Sequence, residues 1–110
     1  MVVDDEILLG MELEYVLSEV GYRIVGPTTN IEQSLDLIAT QQLDGAVLDL
    51  NLRGMQSGPI ADRLSELDIP FLFLSGHTRD ALPQVHRDRP LVTKPFMERR
   101  LLEALRALFD

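Results

Sequence analysis

The feature that most constrains this chain is a set of short apolar runs separated by longer amphipathic stretches, repeated five times. Short apolar runs are typical of strands buried on both faces of a parallel sheet, and their alternation with amphipathic stretches predicts an α/β fold. The predicted strands are residues 1–3, 22–25, 44–48, 69–74 and 91–93. The chain is therefore expected to fold as (βα)5, a doubly wound parallel sheet between helices.

The amphipathic stretches predict the helices and their ends. Apolar residues recur at helical spacing over residues 9–20, and Gly21 follows as a C-terminal cap. Thr29 or Asn30 is expected to cap the second helix. Pro83 falls inside the fourth stretch, so the fourth helix is expected to be short or distorted.

Composition bounds the class of protein. A chain of 110 residues fits one domain, residues 1–110, and a net charge of −8 argues against direct binding of nucleic acid or an anionic membrane. Cysteine is absent and no apolar stretch is long enough to span a bilayer, so we expect a cytoplasmic protein. The first strand is short, which is expected if leading residues are missing or the domain was cut from a longer protein.

Polar residues stand at the ends of four predicted strands. Asp4 and Asp5 follow the first strand, Asp49 the third, Ser75 the fourth and Lys94 the fifth. Ligands of open parallel sheets bind beyond the carboxyl ends of the strands, so these side chains should converge. Clustered carboxylates repel one another unless a cation is present, and hard oxygen ligands suit Mg²⁺, or Mn²⁺ in its place. The sequence predicts a site for a divalent cation and a phosphoryl group.

Each polar residue has a chemical role in this hypothesis. Asp49 is the candidate nucleophile that forms an acyl phosphate, with Asp4, Asp5, Asp49 and the backbone carbonyl of Asn51 as metal ligands. Lys94 supplies a positive charge for a phosphoryl oxygen. The hydroxyl group of Ser75 is the candidate sensor of that group.

The ordered set of motifs resembles the receiver domain of bacterial two-component response regulators over the whole chain. The resemblance rests on the acidic pair, the aspartate after strand three, the serine after strand four and the Lys94-Pro95 dipeptide. It implies a flavodoxin-like sheet with strand order 2-1-3-4-5, a cis Lys94-Pro95 bond and phosphorylation of Asp49 by a sensor histidine kinase or a histidine phosphotransfer protein. It also implies a downstream protein partner, bound through the fourth helix, fifth strand and fifth helix.

Two positions depart from the common receiver pattern, and a third departs from the motif of one subgroup. Arg53 stands where many receivers have proline, and Leu91 stands where many have an aromatic switch residue. His77 ends a Phe-Leu-Ser-Gly-His sequence similar to the Phe-Ala-Thr-Gly-aromatic motif of the FAT-GUY-type, largely stand-alone receivers. We therefore expect Ser75, His77, Leu91, Lys94 and Pro95 to take part in the switch or its output. His86 is expected at the surface.

Two other functions remain open at this point. An aspartate-nucleophile phosphatase or phosphotransferase is one, although such enzymes need a general acid two residues after the nucleophile, where this chain has Asn51. A binding scaffold that no longer needs phosphorylation is the other, and the intact Asp4-Asp5 pair and Lys94 argue against it. A monomer or a weak homodimer is expected.

Overall fold

A computed structural model describes residues 1–52, 54–76 and 81–109. His77 therefore lies outside the described residues, and no structural role is assigned to it. The helices are α1 (Ile7–Glu19), α2 (Ile31–Thr40), α3 (Gly58–Glu66) and α4 (Glu98–Phe109). The strands are β1 (Val2–Val3), β2 (Ala46–Asp49), β3 (Asn51–Leu52), β4 (Met55–Gln56), β5 (Phe71–Ser75) and β6 (Leu91–Thr93).

The main sheet is parallel and has the order β1-β2-β5-β6. Val3 pairs with Leu48, Leu48 pairs with Phe73, and Phe73 pairs with Leu91, so one row of residues crosses the whole sheet. The predicted alternation is confirmed: the architecture is the flavodoxin-like α/β fold. Because the strands run the same way, their carboxyl ends share one edge.

The predicted second strand, residues 22–25, is wrong in its extent. The described chain pairs with the outer edge of β1 only through the isolated bridge between Val3 and Thr28 and a hydrogen bond from the Val2 amide to the Val25 carbonyl. Gly26 has a φ of +99°, and Pro27 has no amide hydrogen to donate. Both residues interrupt a ladder, so this segment occupies the position of strand two without forming a regular strand.

The core lies on both faces of the sheet because each strand alternates its side chains between them. Phe71 and Phe73 of β5 face a cluster that includes Ile60 and Leu64 of α3, while Leu72 and Leu74 face the cluster with α1 and α4. Helices therefore cover both faces of the central sheet and pack against its strands.

The ends of two helices match their predicted caps. Gly21 has a φ of +100° and its amide donates to the Ser18 carbonyl, as expected of a C-terminal glycine. Asn30 caps α2, since its Oδ1 accepts a hydrogen bond of 2.8 Å from the Gln33 amide. Val20, predicted on the buried face of α1, is 52% exposed and lies beyond the end of the helix.

The chain between β5 and β6 confirms one prediction and corrects another. Among the described residues it contains the short 3-10 turn Gln84–His86, which agrees with the short or distorted fourth helix. The prediction of a surface His86 is wrong, because this residue is 4% exposed. Its ring packs on Phe71 and Phe73 of β5, and α3 supplies a polar partner.

The antiparallel pair β3–β4 has no counterpart in the sequence prediction. Asn51 pairs with Gln56 and Leu52 with Met55, and Gly54 between them has a φ of +83°. This small hairpin begins at Asn51, two residues after Asp49. No helix in the described part of the chain combines the length and the apolarity that crossing a bilayer requires.

Candidate functional site

The carboxyl ends of the parallel strands bring four predicted polar residues to one edge of the sheet. Asp4 follows β1, Asp49 is the last residue of β2, Ser75 is the last residue of β5, and Lys94 directly follows β6. This placement follows from strand topology, since β1, β2, β5 and β6 run in parallel register.

The three aspartates form one cluster. Oxygen atoms of Asp4, Asp5 and Asp49 all lie within 4.8 Å of one another. Asp4 is fixed on both sides: its amide donates to the Thr28 carbonyl at 3.0 Å, and its Oδ1 accepts from the Glu6 amide at 2.9 Å. The Asp4 and Asp49 side chains are buried, whereas Asp5 is half-buried and lies closer to solvent.

Lys94 neutralises part of this negative charge. Its Nζ lies 3.1 Å from Asp4 Oδ2, 3.1 Å from Asp49 Oδ2 and 3.4 Å from Glu6 Oε1. The ammonium group therefore lies within ion-pair distance of three carboxylates. The peptide bond from Lys94 to Pro95 is cis, as the resemblance to receivers implied.

Burial makes the ionised form of Asp49 unfavourable. Burial and, after it, the charge of Asp4 raise the pKa of Asp49 from 3.8 to about 6, although Lys94 and the hydrogen bond from the Asn51 amide oppose the rise. Burial alone would lower the pKa of Lys94, but its hydrogen bonds and charge interactions with Asp4 and Asp49 raise it overall. The site thus holds more negative charge than one lysine compensates.

The excess of negative charge at this site suits a divalent cation. The donor set consists of hard carboxylate oxygens, two of them on buried side chains, and it attracts a cation most strongly where Asp49 is ionised. The residues therefore fit Mg²⁺, with Asp4, Asp5 and Asp49 as the carboxylates within reach of one ion. The Asn51 amide donates to Asp49 Oδ1 at 3.3 Å, which places its peptide beside the cluster.

The remaining predicted residues are arranged around this cluster. Ser75 is buried and pairs with Thr93, and its carbonyl accepts a hydrogen bond of 2.8 Å from the Lys94 amide. The position of Ser75 is therefore tied to that of Lys94 through the backbone. Leu91 lies opposite Phe73, at the other end of β6 from Lys94, and packs against the core.

Two residues of the site were missed by the sequence reasoning. Glu6 contacts Lys94 through its side chain and Asp4 through its amide, and Thr28 holds the Asp4 amide. The signal for Glu6 was its position directly after Asp4 and Asp5. No local signal identified Thr28, because its contact with Asp4 spans two different elements.

A separate groove beside the sheet lies away from this cluster and has different chemistry. A groove of about 620 Å³ at the amino ends of the strands is lined by Met1, Gly45 and Phe109 among others. None of the clustered aspartates lines it. A phosphoryl group and a cation are small, so the carboxyl-end cluster needs no such volume.

Comparison with known proteins identifies the fold and the family. The family model of the response regulator receiver domain matches residues 1–106. The sensory transduction protein LytT of Bacillus subtilis is 32% identical over 110 residues, which represent 96% of this chain and 46% of that protein. LytR of Staphylococcus haemolyticus is 28% identical over 109 residues, 96% of this chain and 43% of that protein. The chain thus spans less than half the length of these relatives.

Solved structures agree with this result. The solution structure of SdrG from Sphingomonas melonis Fr1 is 37% identical, with a TM-score of 0.86, and the match covers 99% of this chain and 93% of that one. A structure of the BeF3-activated conformation of SdrG, from Pseudomonas melonis Fr1, is 36% identical with a TM-score of 0.84 and the same coverage. Because the family model covers nearly all of the sequence, the chain belongs to the response regulator receiver domain family.

Proposed function

We propose that Asp49 is the phosphoacceptor of this phosphorylation-switched signalling domain. The observation that carries the proposal is the position of its carboxylate at the end of β2, within 4.8 Å of Asp4 and Asp5 and 3.1 Å from Lys94 Nζ. Asp49 is the only one of the three aspartates that ends a central strand and also contacts Lys94. The contacts of Asp49 with Lys94 and the two other aspartates suit a carboxylate whose negative charge increases when it is phosphorylated.

The proposed step is an in-line transfer from a phosphohistidine. A carboxylate oxygen of Asp49 forms a bond to phosphorus while the phosphorus–nitrogen bond of the donor breaks, and the freed imidazole takes a proton from water. Bound Mg²⁺ supplies charge neutralisation for the carboxylate and the transferring group. Lys94 exchanges its contact with Asp49 for a phosphoryl oxygen, and the hydroxyl group of Ser75 donates to another.

Movement of Ser75 and Lys94 toward the new charge is the proposed start of the signal. The two residues are joined by the hydrogen bond from the Lys94 amide to the Ser75 carbonyl, so they move together. We propose that the change reaches a downstream protein through the face formed by the chain after β5, by β6 and by α4. Direct contact with nucleic acid is not part of the proposal.

The phosphodonor is proposed to be a sensor histidine kinase or a histidine phosphotransfer protein. α1 begins directly after the acidic residues, and three apolar side chains at helical spacing on it, Leu8, Met11 and Tyr15, are exposed. A donor protein that reaches Asp49 must approach this edge, and an apolar helix face beside it suits such a partner. Receiver domains usually act in the cytoplasm, and we propose that location, with a monomer or a weak homodimer, for this one.

Hydrolysis of external phosphoesters is not favoured by the site. Asn51 stands two residues after Asp49, and its Oδ1 accepts a hydrogen bond of 3.0 Å from the Gly54 amide. An amide is no general acid, and this one is engaged in the β3–β4 turn. Any dephosphorylation is therefore proposed to be that of the domain's own acyl phosphate.

The direct test is adduct formation on the intact domain. Wild type, Asp49→Asn and the control Asp36→Asn, an exposed residue of α2, are incubated with Mg²⁺ and acetyl phosphate and weighed by mass spectrometry. Wild type and the control are expected to gain one phosphoryl group and Asp49→Asn none. A phosphorylated Asp49→Asn protein, or continuous turnover of a phosphoester, would overturn the proposal.

A second experiment tests the donor surface. Leu8→Ser is expected to slow transfer from a histidine phosphotransfer protein at least several-fold while leaving phosphorylation by acetyl phosphate unchanged, since the small donor needs no helix face. Val85→Ser, on the described chain between β5 and β6, is the matched control because Val85 is also strongly exposed. If Leu8→Ser and wild type accept the phosphoryl group from the protein donor at equal rates, the donor does not dock on the exposed face of α1.

A further inference from the structure

Two polar contacts join α3 to the short segment that stands in place of a fourth helix. His86 Nε2 lies 2.6 Å from Asp62 Oδ1, and an N–H of the Arg89 guanidinium donates to Ser65 Oγ at 2.8 Å. Asp62 and Ser65 are three residues apart on α3, and His86 and Arg89 are three residues apart on the segment. The contacts thus share one register, and we name this pair the α3 clamp.

The chemistry of His86 fixes which atom carries its proton. The Nδ1 atom is buried and has no hydrogen-bond partner among the described residues. A proton on Nδ1 alone would leave a buried donor unpaired and place the Nε2 lone pair against a carboxylate oxygen. The ring therefore carries its proton on Nε2 and donates it to Asp62, so the contact is directional and depends on an acceptor at position 62.

Aromatic packing strengthens both contacts. The His86 ring meets the Phe71 ring edge-on at 5.7 Å, and the Arg89 guanidinium carbon lies 4.5 Å above the centre of the same ring. The Phe73 amide donates to the Pro90 carbonyl at 2.9 Å, which ties the segment to β5. A single turn of 3-10 helix has little packing surface of its own, so its position depends on these contacts.

We propose that the α3 clamp holds residues 84–90 in place on the face formed by the chain after β5, by β6 and by α4. These residues are then the part of that face that does not move, because the clamp stays closed when Asp49 is phosphorylated. The second half rests on the proposed function. Allosteric coupling typically changes an equilibrium by about 5- to 150-fold. Opening the clamp would break both polar contacts and expose His86 and the buried rings of Phe71 and Phe73. We therefore assign the clamp to the part of the fold that phosphorylation does not open.

Amide hydrogen exchange of the whole domain tests the positioning role. Asp62→Ala is expected to lower the protection of the His86 and Arg89 amides about tenfold, and Ser65→Ala about threefold. Asp62→Asn keeps an acceptor oxygen and is expected to restore protection to within about twofold of wild type. The Gly10 amide of α1, which donates to the Glu6 carbonyl, is the internal control. Unchanged protection in Asp62→Ala would overturn the clamp.

Histidine side-chain NMR tests whether the clamp stays closed. The chain has only two histidines, His77 and His86, so the ring signals of ¹⁵N-histidine-labelled protein are assigned with one His77→Gln variant. The His86 signal is expected to show the Nε2–H form and to keep its position when Mg²⁺ and beryllofluoride are added. Movement of the His86 signal on adduct formation would show that the clamp opens and would refute that half of the proposal.

The two proposals fail in different ways. Absence of any beryllofluoride adduct in wild type refutes the phosphoacceptor role of Asp49 and, with it, the claim that the clamp stays closed under phosphorylation. The exchange comparison between Asp62→Ala and Asp62→Asn needs no adduct and decides the positioning role by itself.

Discussion

Replacing Asp49 by asparagine is expected to stabilise the metal-free domain at neutral pH. Burial and the charge of Asp4 raise the pKa of Asp49 from 3.8 to about 6, despite the contact with Lys94. The ionised carboxylate is therefore less favourable in the folded chain than in the unfolded chain. Asparagine has nearly the same shape without the charge, so the variant avoids this penalty and still offers an oxygen to Lys94.

The size of the effect follows from the pKa. A rise from 3.8 to about 6 is a difference of about 2, which corresponds to about 3 kcal/mol at pH 7. Solvent at the rim of the site, where the Glu6 side chain is 65% exposed, screens part of this penalty. We therefore expect a gain of about 1.5 kcal/mol, or about 6 °C in Tm for a domain of this size.

The effect has a defined dependence on pH. Well below pH 3.8 Asp49 is protonated in both the folded and the unfolded chain, so its ionisation adds no difference in stability between wild type and Asp49→Asn. Between about pH 4 and pH 6 the folded wild type holds a proton that the unfolded chain releases, so the stability of the wild type falls relative to Asp49→Asn as the pH rises. Above about pH 6 the difference becomes constant.

Urea unfolding with a chelator at pH 4 and pH 7 measures the difference. The control Asp36→Asn, on the exposed side of α2, is expected to stay within about 0.5 kcal/mol of wild type at both values. Added Mg²⁺ should stabilise wild type more than Asp49→Asn and so narrow the gap. An Asp49→Asn variant less stable than wild type at pH 7, or an equal gap at both pH values, would refute the electrostatic reasoning.

Three further variants test other parts of the site. Lys94→Met leaves the buried carboxylates without the ammonium group of Lys94 and is expected to destabilise the metal-free domain by about 3 kcal/mol, measured by urea unfolding. The same variant is expected to bind Mg²⁺ more tightly, measured by calorimetric titration. Glu6→Gln removes a negative charge beside the site and should speed phosphorylation of Asp49 by acetyl phosphate about 2- to 5-fold, an effect that high salt abolishes. Gly26→Ala places a Cβ 3.0 Å from the Thr28 amide nitrogen at a φ of +99° and should destabilise by about 1–3 kcal/mol in the same unfolding assay.

Each variant has an outcome that contradicts its premise. Weaker Mg²⁺ binding by Lys94→Met would mean that the lysine supports the metal site instead of competing with it. A rate increase for Glu6→Gln that survives high salt would exclude long-range charge as its cause. Gly58→Ala is the control for Gly26→Ala, since a Cβ at Gly58 meets nothing within 4 Å. Equal destabilisation by the two substitutions would show that neither the positive φ of Gly26 nor its closeness to Thr28 requires glycine there.

The sequence predicted the chemistry of the site because parallel topology places strand ends together. Asp4, Asp49 and Lys94 each follow an apolar run, and the rule that parallel strands end at one edge was sufficient to predict their meeting. The distances, and the contact of Glu6 with Lys94, required the structure. Side-chain contacts across elements are not encoded in the spacing of one element.

The failures of the sequence prediction have physical causes. Residues 22–25 have the composition of a strand, but the pairing with β1 is interrupted between Val25 and Thr28, where Gly26 has a positive φ and Pro27 lacks an amide hydrogen. His86 was predicted at the surface, but it is buried against partners distant in the sequence, since Asp62 is 24 residues away. Tertiary packing decides the burial of such a residue, and local composition carries no signal for it.

The central claim is that Asp49 accepts the phosphoryl group, and reductive mapping tests it most directly. Borohydride converts the acyl phosphate of an aspartate to homoserine, which peptide mass spectrometry locates in the chain. After phosphorylation with Mg²⁺ and acetyl phosphate, we expect homoserine at position 49 and unmodified Asp4 and Asp5. Homoserine at position 4 or 5, or a stable phosphoryl group on Ser75 with position 49 unmodified, would contradict it.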